Sequence, residues 1–283
     1  MTRPLVHVED LHVRFRMRNE ETHAVRGVSW RMGREKLGIV GESGSGKSLS
    51  VRALLGLIRP PGEVRARRLE LDGIDLRALS ARQWQGIRGR RISMVLQDPR
   101  YSLNPVMRIG DQIAEAYLAH HDVSRREAQM RALDMLAAVH IREPERVSRA
   151  YQHELSGGMG QRVMIAMMLM PEPEILIADE PTSALDISVQ TQVLSLIDEM
   201  VTSRGMGLIF ISHDLQLVAS FCDRVLIMYA GRIVEERLAK ELPTATHPYT
   251  RGLLACLPRL GERRDSLAVL ERAGAWSSEG GTP

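Results

Sequence analysis

The sequence predicts an α/β fold in which short buried strands alternate with amphipathic helices. Three almost wholly apolar runs lie at residues 175–178, 208–211 and 225–228. Runs of about four residues are typical of strands that are buried on both faces of a parallel sheet. Between the first two runs, an apolar stripe with helical spacing predicts a helix, so this part of the chain forms a βαβ unit. The stripe consists of Val193, Leu194, Ile197, Met200 and Val201.

The N-terminal part of the chain adds strand-like segments at residues 5–8, 11–15, 25–30 and 36–40. The last of these segments leads directly into a glycine-rich turn. A helix is expected to begin near Lys47 and to continue to Ile58, because apolar residues recur at intervals of three and four. Pro60 and Pro61 are expected to stop it.

The pattern changes between residues 105 and 150, where Ala, Arg, Glu and Met dominate and apolar residues have helical spacing. This change predicts a helical insertion, at about residues 100–160, within an α/β domain of residues 1–245. Residues 246–283 are expected to form a C-terminal extension. Its tail after about residue 260 is polar and is expected to fray.

The composition is ordinary for a globular protein of 283 residues, with 44% hydrophobic and 26% charged residues. A net charge of +3 is too small to require a nucleic-acid partner. The two cysteines, Cys222 and Cys256, are far apart and predict neither a disulfide framework nor a zinc site. The longest apolar run, residues 163–170, is shorter than the ~20 residues of a membrane span. We therefore expect any membrane role to depend on a partner.

A glycine-rich motif follows the strand at residues 36–40 and opens the next helix. Backbone N–H groups in such a loop converge on phosphate oxygens, and the helix N-terminus adds the positive end of its dipole. We expect Lys47 to reach the β- and γ-phosphates and Ser48 to bind Mg²⁺. The motif predicts nucleotide binding without distinguishing a kinase, a GTPase, a helicase or a transporter subunit. Its residues are Gly41, Glu42, Ser43, Gly44, Ser45, Gly46, Lys47 and Ser48.

Two adjacent carboxylates, Asp179 and Glu180, follow the apolar run at residues 175–178. Neighbouring side chains in a strand point to opposite faces. Asp179 can therefore serve the metal site while Glu180 accepts a proton from an attacking water. The alternative is a surface turn, against which the apolar run argues. Glutamate here also argues against a simple GTP switch, which often uses glutamine to orient water.

A third motif is the most discriminating one in the chain. Two glycines follow a serine and open an apolar helix, which creates a second helix N-terminus suited to an anion. The segment resembles the signature of the ATPases of ABC transporters. It consists of Leu155, Ser156, Gly157, Gly158, Met159, Gly160, Gln161 and Arg162.

The resemblance implies a P-loop NTPase (RecA-like) core with an antiparallel β subdomain and an inserted α-helical subdomain. It also implies a dimer in which Ser156, Gly157 and Gly158 of one subunit close over ATP held by the other. The alternative for this segment alone is a flexible helix start.

Further family elements occur in the expected order. Gln97 matches the residue that senses Mg²⁺ and the γ-phosphate, and Asp186 matches the loop at the dimer seam. His213, after a strand, matches the histidine that contacts the γ-phosphate. Phe15 matches an aromatic residue that stacks on adenine, with a core aromatic as the alternative. The resemblance implies that Lys47, Gln97, Glu180 and His213 serve catalysis with ATP and Mg²⁺.

Two local runs resemble the oligopeptide, dipeptide and nickel importer branch of the family, with the first closer to its first ATPase subunit. They are Gln97-Asp98-Pro99 followed by Ser102-Leu103-Asn104-Pro105, and His247-Pro248-Tyr249-Thr250. The resemblance implies import of dipeptides or oligopeptides, with nickel and metal–opine complexes as alternative cargo. The implied partners are a second ATPase subunit, two integral membrane permeases and an extracytoplasmic substrate-binding protein. The implied location is the cytoplasmic face of the inner membrane. Some relatives hold an iron–sulfur centre near the C-terminus, which we do not expect here because only Cys256 is available.

Two other classes of protein remain open. A soluble ABC ATPase that acts on DNA or ribosomes usually carries coiled-coil insertions, zinc modules or tandem cassettes, and the sequence shows none. A small-molecule kinase built on the phosphate-binding loop would leave Ser156, Gly157, Gly158 and His213 without a role.

Overall fold

The computed structural model describes residues 3–17, 20–183 and 185–256, and these fall into two compact units. The first unit combines Met1–Ala78 with Ile209–Pro283, and the second is Leu79–Leu208. The predicted boundary between residues 245 and 246 stays a prediction. The polar tail after about residue 260 lies outside the described residues.

The first unit begins with two long antiparallel strands, β1 (Val6–Met17) and β2 (Glu20–Met32). The prediction of separate strands at residues 5–8 and 11–15 is wrong, because both lie within or at the start of β1. The chain bulges at Asp10, which has a φ of 54° and donates its N–H to Ser29 Oγ at 2.9 Å. The bulge shifts the register between Val8 and Leu11 without ending the strand.

The strand β3 (Lys36–Val40) and the helix α1 (Lys47–Leu54) follow, and both begin where the sequence predicts. The expectation that the helix continues to Ile58 is wrong. Gly56 adopts a φ of 60°, so its N–H donates to the Ala53 carbonyl at 3.0 Å and the N–H of Leu57 donates to Arg52 at 2.9 Å. This Schellman motif ends the helix well before the two prolines.

Three short strands complete the first sheet. They are β4 (Gly62–Arg65), β5 (Arg68–Leu71) and β6 (Ile74–Asp75). The strand order is β2-β1-β5-β6, with β4 also paired to β1, and the neighbouring strands are antiparallel. This arrangement confirms the antiparallel β subdomain.

The second unit contains two parallel strands and six of the α-helices of the described residues. Ile92 of β7 pairs with Ile175 of β8, and both strands are buried. Three helices lie between residues 105 and 150, where the sequence predicts a helical insertion. The elements in chain order are α2 (Ala81–Ile87), β7 (Ile92–Val95), α3 (Ile109–Leu118), α4 (Arg125–Ala138), α5 (Pro144–Arg149), α6 (Gly157–Leu169), β8 (Ile175–Asp179) and α7 (Ile187–Ser203). The predicted apolar stripe on α7 is buried.

The chain then returns to the first unit through β9 (Gly207–Ser212), which spans the boundary between the units. The remaining elements are α8 (Leu215–Phe221), β10 (Arg224–Tyr229), β11 (Arg232–Leu238) and α9 (Pro248–Ala255). Within this unit the strand order is β11-β10-β3-β9; β10 runs parallel to β3 and antiparallel to β11. The predicted α/β class is confirmed.

No helix in the described part of the chain has both the length and the apolar character that a bilayer span requires.

Candidate functional site

The phosphate loop, residues 41–48, connects β3 to α1 in the first unit. Gly44 and Gly46 have φ values of 80° and 97°, which side-chain-bearing residues rarely adopt. A Cβ on Gly46 would lie 2.7 Å from the Ala24 carbonyl oxygen. Only glycine therefore fits this position, where the chain turns to place backbone N–H groups of the first helical turn at one site.

The loop holds its lysine in a defined position. Lys47 is 5% exposed, and its Nζ donates to the carbonyl oxygens of Gly41 at 2.8 Å and of Glu42 at 2.9 Å. The nearby hydroxyl Oγ of Ser45 is buried and has no hydrogen-bond partner among the described residues. The loop suits a polyphosphate anion, because it offers a buried ammonium group, a glycine-rich turn and a hydroxyl that can donate a hydrogen bond.

Two residues that the sequence analysis did not assign to the site support this loop. The N–H of Gly231, in the turn between β10 and β11, donates to the Ser45 carbonyl at 3.1 Å. The N–H of Glu42 donates to the phenol oxygen of Tyr249 at 3.1 Å. In the sequence, Tyr249 belongs to the run of residues 247–250, which indicated a branch of the family but no contact with the phosphate loop.

Two further predicted residues also belong to the first unit. His213 is exposed and lies between β9 and α8, and the adjacent Asp214 caps α8 by accepting from the Leu217 N–H at 3.0 Å. Phe15 lies on β1 opposite Gly62, and a Cβ on Gly62 would come 2.8 Å from the ring atom Cε1. The ring is half-buried and packs over this glycine, so part of its surface serves packing.

The acidic pair lies at the end of β8 in the second unit. Asp179 is the last residue of this fully buried strand and is 5% exposed. Glu180 has a φ of 49°, a conformation that costs a non-glycine residue about 1–3 kcal/mol and often occurs at functional sites. The carbonyl of Glu180 accepts from the hydroxyl of Ser183 at 3.2 Å. The amide of Gln161 on α6 donates to the Pro181 carbonyl at 2.6 Å, which ties α6 to this strand end.

The signature lies at the start of α6. Ser156 is the N-cap, since its Oγ accepts from the Met159 N–H at 3.4 Å, and Ser156 and Gly157 are exposed. A Cβ on Gly158 would lie 2.7 Å from Cγ1 of Val189 on α7, so Gly158 permits close contact of the two helices. Asp186 caps α7 by accepting from the Val189 N–H at 2.9 Å. Ala184, in the same loop, lies outside the described residues.

Gln97 and the signature share one cavity in the second unit, with a volume of about 590 Å³. Ser156, Gly157 and Leu185 line this cavity together with Gln97. The adjacent Asp98 accepts hydrogen bonds from Arg100, and these lower the pKa of its carboxyl group. The residue that follows Gln97 therefore forms an ionic hydrogen bond with Arg100.

The predicted residues therefore divide between the units. The phosphate loop, Phe15 and His213 belong to the first unit. The second unit contains Gln97, the signature, the acidic pair and Asp186. The glycine loop with its buried lysine and the apolar strand that ends in two carboxylates are features of a nucleotide-binding α/β protein.

Comparison with known proteins defines the family. Residues 25–183 match the model of the ABC transporter family. The chain belongs to this family, so it binds ATP and couples its hydrolysis to transport.

Relatives and solved structures agree. The chain is 45% identical over 259 residues to the oligopeptide transport ATP-binding protein OppD of Bacillus subtilis (strain 168), which covers 90% of this chain and 72% of the relative. It is 44% identical over 269 residues to the dipeptide transport ATP-binding protein DppD of Haemophilus influenzae. That alignment covers 94% of this chain and 82% of the relative. A solved dimeric ATP-binding cassette, described as a post-hydrolysis state bound to ADP and Pi, is 26% identical with a TM-score of 0.73 and covers 83% of this chain and 98% of that one.

Proposed function

We propose that this chain is the ATP-hydrolysing subunit of an importer for dipeptides or oligopeptides. The observation that carries this proposal is the identity of 44–45% to oligopeptide and dipeptide transport ATP-binding proteins over at least nine-tenths of the chain. Nickel and metal–opine complexes remain the alternative cargo, but both of these relatives are named for peptides. Since the cargo contacts other subunits of such a transporter, those subunits determine which cargo is transported.

In this proposal each predicted site residue has its own task on the nucleotide triphosphate. Residues 41–48 bind the phosphates, Lys47 neutralises their charge and Phe15 stacks on the adenine. Glu180 accepts a proton from the attacking water, and His213 aligns the γ-phosphate. The buried position of Lys47 and the strained backbone of Glu180 support these roles.

The residues also suit Mg²⁺, which would be held by Ser48, Gln97 and Asp179. A hydroxyl, an amide oxygen and a carboxylate are the hard oxygen donors that this ion prefers. Asp179 is 5% exposed and is the last residue of β8, so its carboxylate lies at the C-terminal end of an apolar strand. When bound, the ion neutralises charge on the β- and γ-phosphates.

The signature acts in trans in this proposal. Ser156, Gly157 and Gly158 close over the nucleotide of a second, homologous ATPase subunit, while Asp186 lies at the seam between the subunits. Two observations support this arrangement: Ser156 and Gly157 are exposed at the start of α6, and a solved relative is a dimer. An exposed helix N-terminus is well suited to bind a phosphate from another chain.

The complete transporter would contain two integral membrane permeases and an extracytoplasmic substrate-binding protein, with this chain on the cytoplasmic face of the inner membrane and no nucleic acid bound. The test is uptake of labelled dipeptide by proteoliposomes that contain the co-purified complex. We expect uptake that requires ATP and is lost in the Glu180→Gln variant. Uptake of nickel in place of peptide would reassign the cargo, and co-purification with nucleic acid instead of membrane subunits would refute the proposal.

A further inference from the structure

The segment of residues 246–250 is attached firmly to β11. Its anchor is Glu235, a 9% exposed carboxylate in the middle of that strand. Oε1 of Glu235 accepts from the Thr246 N–H at 2.9 Å and from Arg237 Nε at 3.0 Å, while Oε2 accepts from the His247 N–H at 3.3 Å. His247 in turn caps α9 by accepting from the Tyr249 N–H at 3.2 Å. These bonds fix the position from which Tyr249 projects.

Tyr249 is completely buried, and its ring lies against that of Tyr229 on β10 with 4.6 Å between the centroids. Its hydroxyl oxygen accepts a hydrogen bond from the N–H of Glu42 at 3.1 Å. The tyrosine therefore joins the end of the described chain to the second residue of the phosphate loop, 207 positions earlier in the sequence.

The same peptide group also contacts the lysine. The carbonyl of Gly41 and the N–H of Glu42 belong to one peptide unit, which is planar. Lys47 Nζ donates to that carbonyl at 2.8 Å, and the N–H donates to Tyr249. Because the carbonyl and the N–H of a trans peptide point in opposite directions, rotation of the unit would disturb both bonds together. Any change that frees the N–H therefore also loosens the acceptor of Lys47.

We propose that Tyr249 is a positioning residue for ATP binding, which fixes the peptide unit between residues 41 and 42 and thereby the ammonium group of Lys47. The inference rests on the function proposed above, in which Lys47 binds the phosphates. It assigns a physical task to the run of residues 247–250: they support the phosphate loop from the C-terminal side of the domain.

The test is the Tyr249→Phe variant of the full chain, which keeps the ring and removes only the hydroxyl. A net hydrogen bond is worth about 0.5–1.5 kcal/mol, so we expect the Kd for ATP to rise about threefold to tenfold. The Kd for AMP, which lacks the phosphates that Lys47 contacts, is expected to change less than twofold. A purely structural role would change both values in parallel.

The matched control is Tyr117→Phe, which removes the hydroxyl of a tyrosine on α3 that is 5% exposed. This variant should leave the Kd for ATP unchanged. Equal ATP affinity of wild type and Tyr249→Phe would overturn the inference, as would a parallel loss for ATP and AMP. Failure of the wild-type chain to bind ATP would instead refute the function on which the inference rests.

Discussion

Replacing Gly158 with alanine would press a methyl group against the side chain of Val189. The added Cβ would lie 2.7 Å from Cγ1 of Val189, whereas carbon atoms in contact prefer about 3.5–4.0 Å. The neighbouring Gly157 offers a matched control, because among the described residues its Cβ would meet only Cδ2 of Leu185, at 3.9 Å. The two substitutions add the same methyl group to the same helix, α6, so they differ mainly in this contact.

The expected magnitude follows from that contact. Inserting a methyl group into a packed interface typically costs about 1–3 kcal/mol. Alanine is favoured over glycine in a helix by about 1 kcal/mol, and this gain applies to both variants. At about 2–4 °C per kcal/mol for a domain of this size, Gly158→Ala should melt about 2–12 °C below Gly157→Ala.

Thermal unfolding followed by circular dichroism measures the difference. The double variant Gly158→Ala/Val189→Ala makes room for the methyl group and should recover most of the loss. Equal melting temperatures for the two glycine variants would refute the packing argument. So would a double variant that melts no higher than Gly158→Ala.

Three further predictions concern the first unit. Lys47→Ala should weaken ATP binding at least tenfold, since hydrogen bonds to charged groups contribute about 1.5–3 kcal/mol. An equilibrium titration with ATP measures the change in Kd. Burial raises the pKa of Glu235, but the hydrogen bonds that its carboxylate accepts, including those from Thr246, Arg237 and His247, outweigh burial and hold the pKa below its ordinary value. Its stabilisation is therefore full above the ordinary pKa of a glutamate, about 4.3, and is lost as the pH falls through the lowered pKa. In Glu235→Gln, the stability measured by urea unfolding should depend less on pH below that value. Burial raises the pKa of the Cys222 thiol to about 12, so iodoacetamide at about pH 8 should label Cys256 first, as mass spectrometry can follow.

Motifs that act through the local backbone could be predicted from the sequence. The phosphate loop, the acidic pair and the signature each occupy consecutive residues, so their spacing alone indicates the strand, turn or helix on which they lie. The start of α1 at Lys47 and the N-cap at Ser156 follow for the same reason. Predictions of this kind need only local rules of helix capping and strand alternation.

Features that depend on distant contacts or on single backbone angles were missed. The bulge at Asp10 depends on its pairing with Ser29 on the next strand, and the early end of α1 depends on the left-handed conformation of Gly56. The contact between Tyr249 and Glu42 spans 207 positions and leaves no local pattern. Only the folded chain brings these residues together.

Glu180 has the central role in the proposed hydrolysis, because it activates the attacking water. The direct measurement is phosphate release by the purified protein at saturating ATP, for wild type, Glu180→Gln and the control Glu172→Gln. Glu172 is an exposed glutamate with a φ of 59°, so both variants replace a glutamate in a left-handed backbone conformation. We expect Glu180→Gln to bind ATP normally and to release phosphate at least about 100-fold more slowly, while Glu172→Gln behaves as wild type. Equal rates for all three proteins would contradict the account.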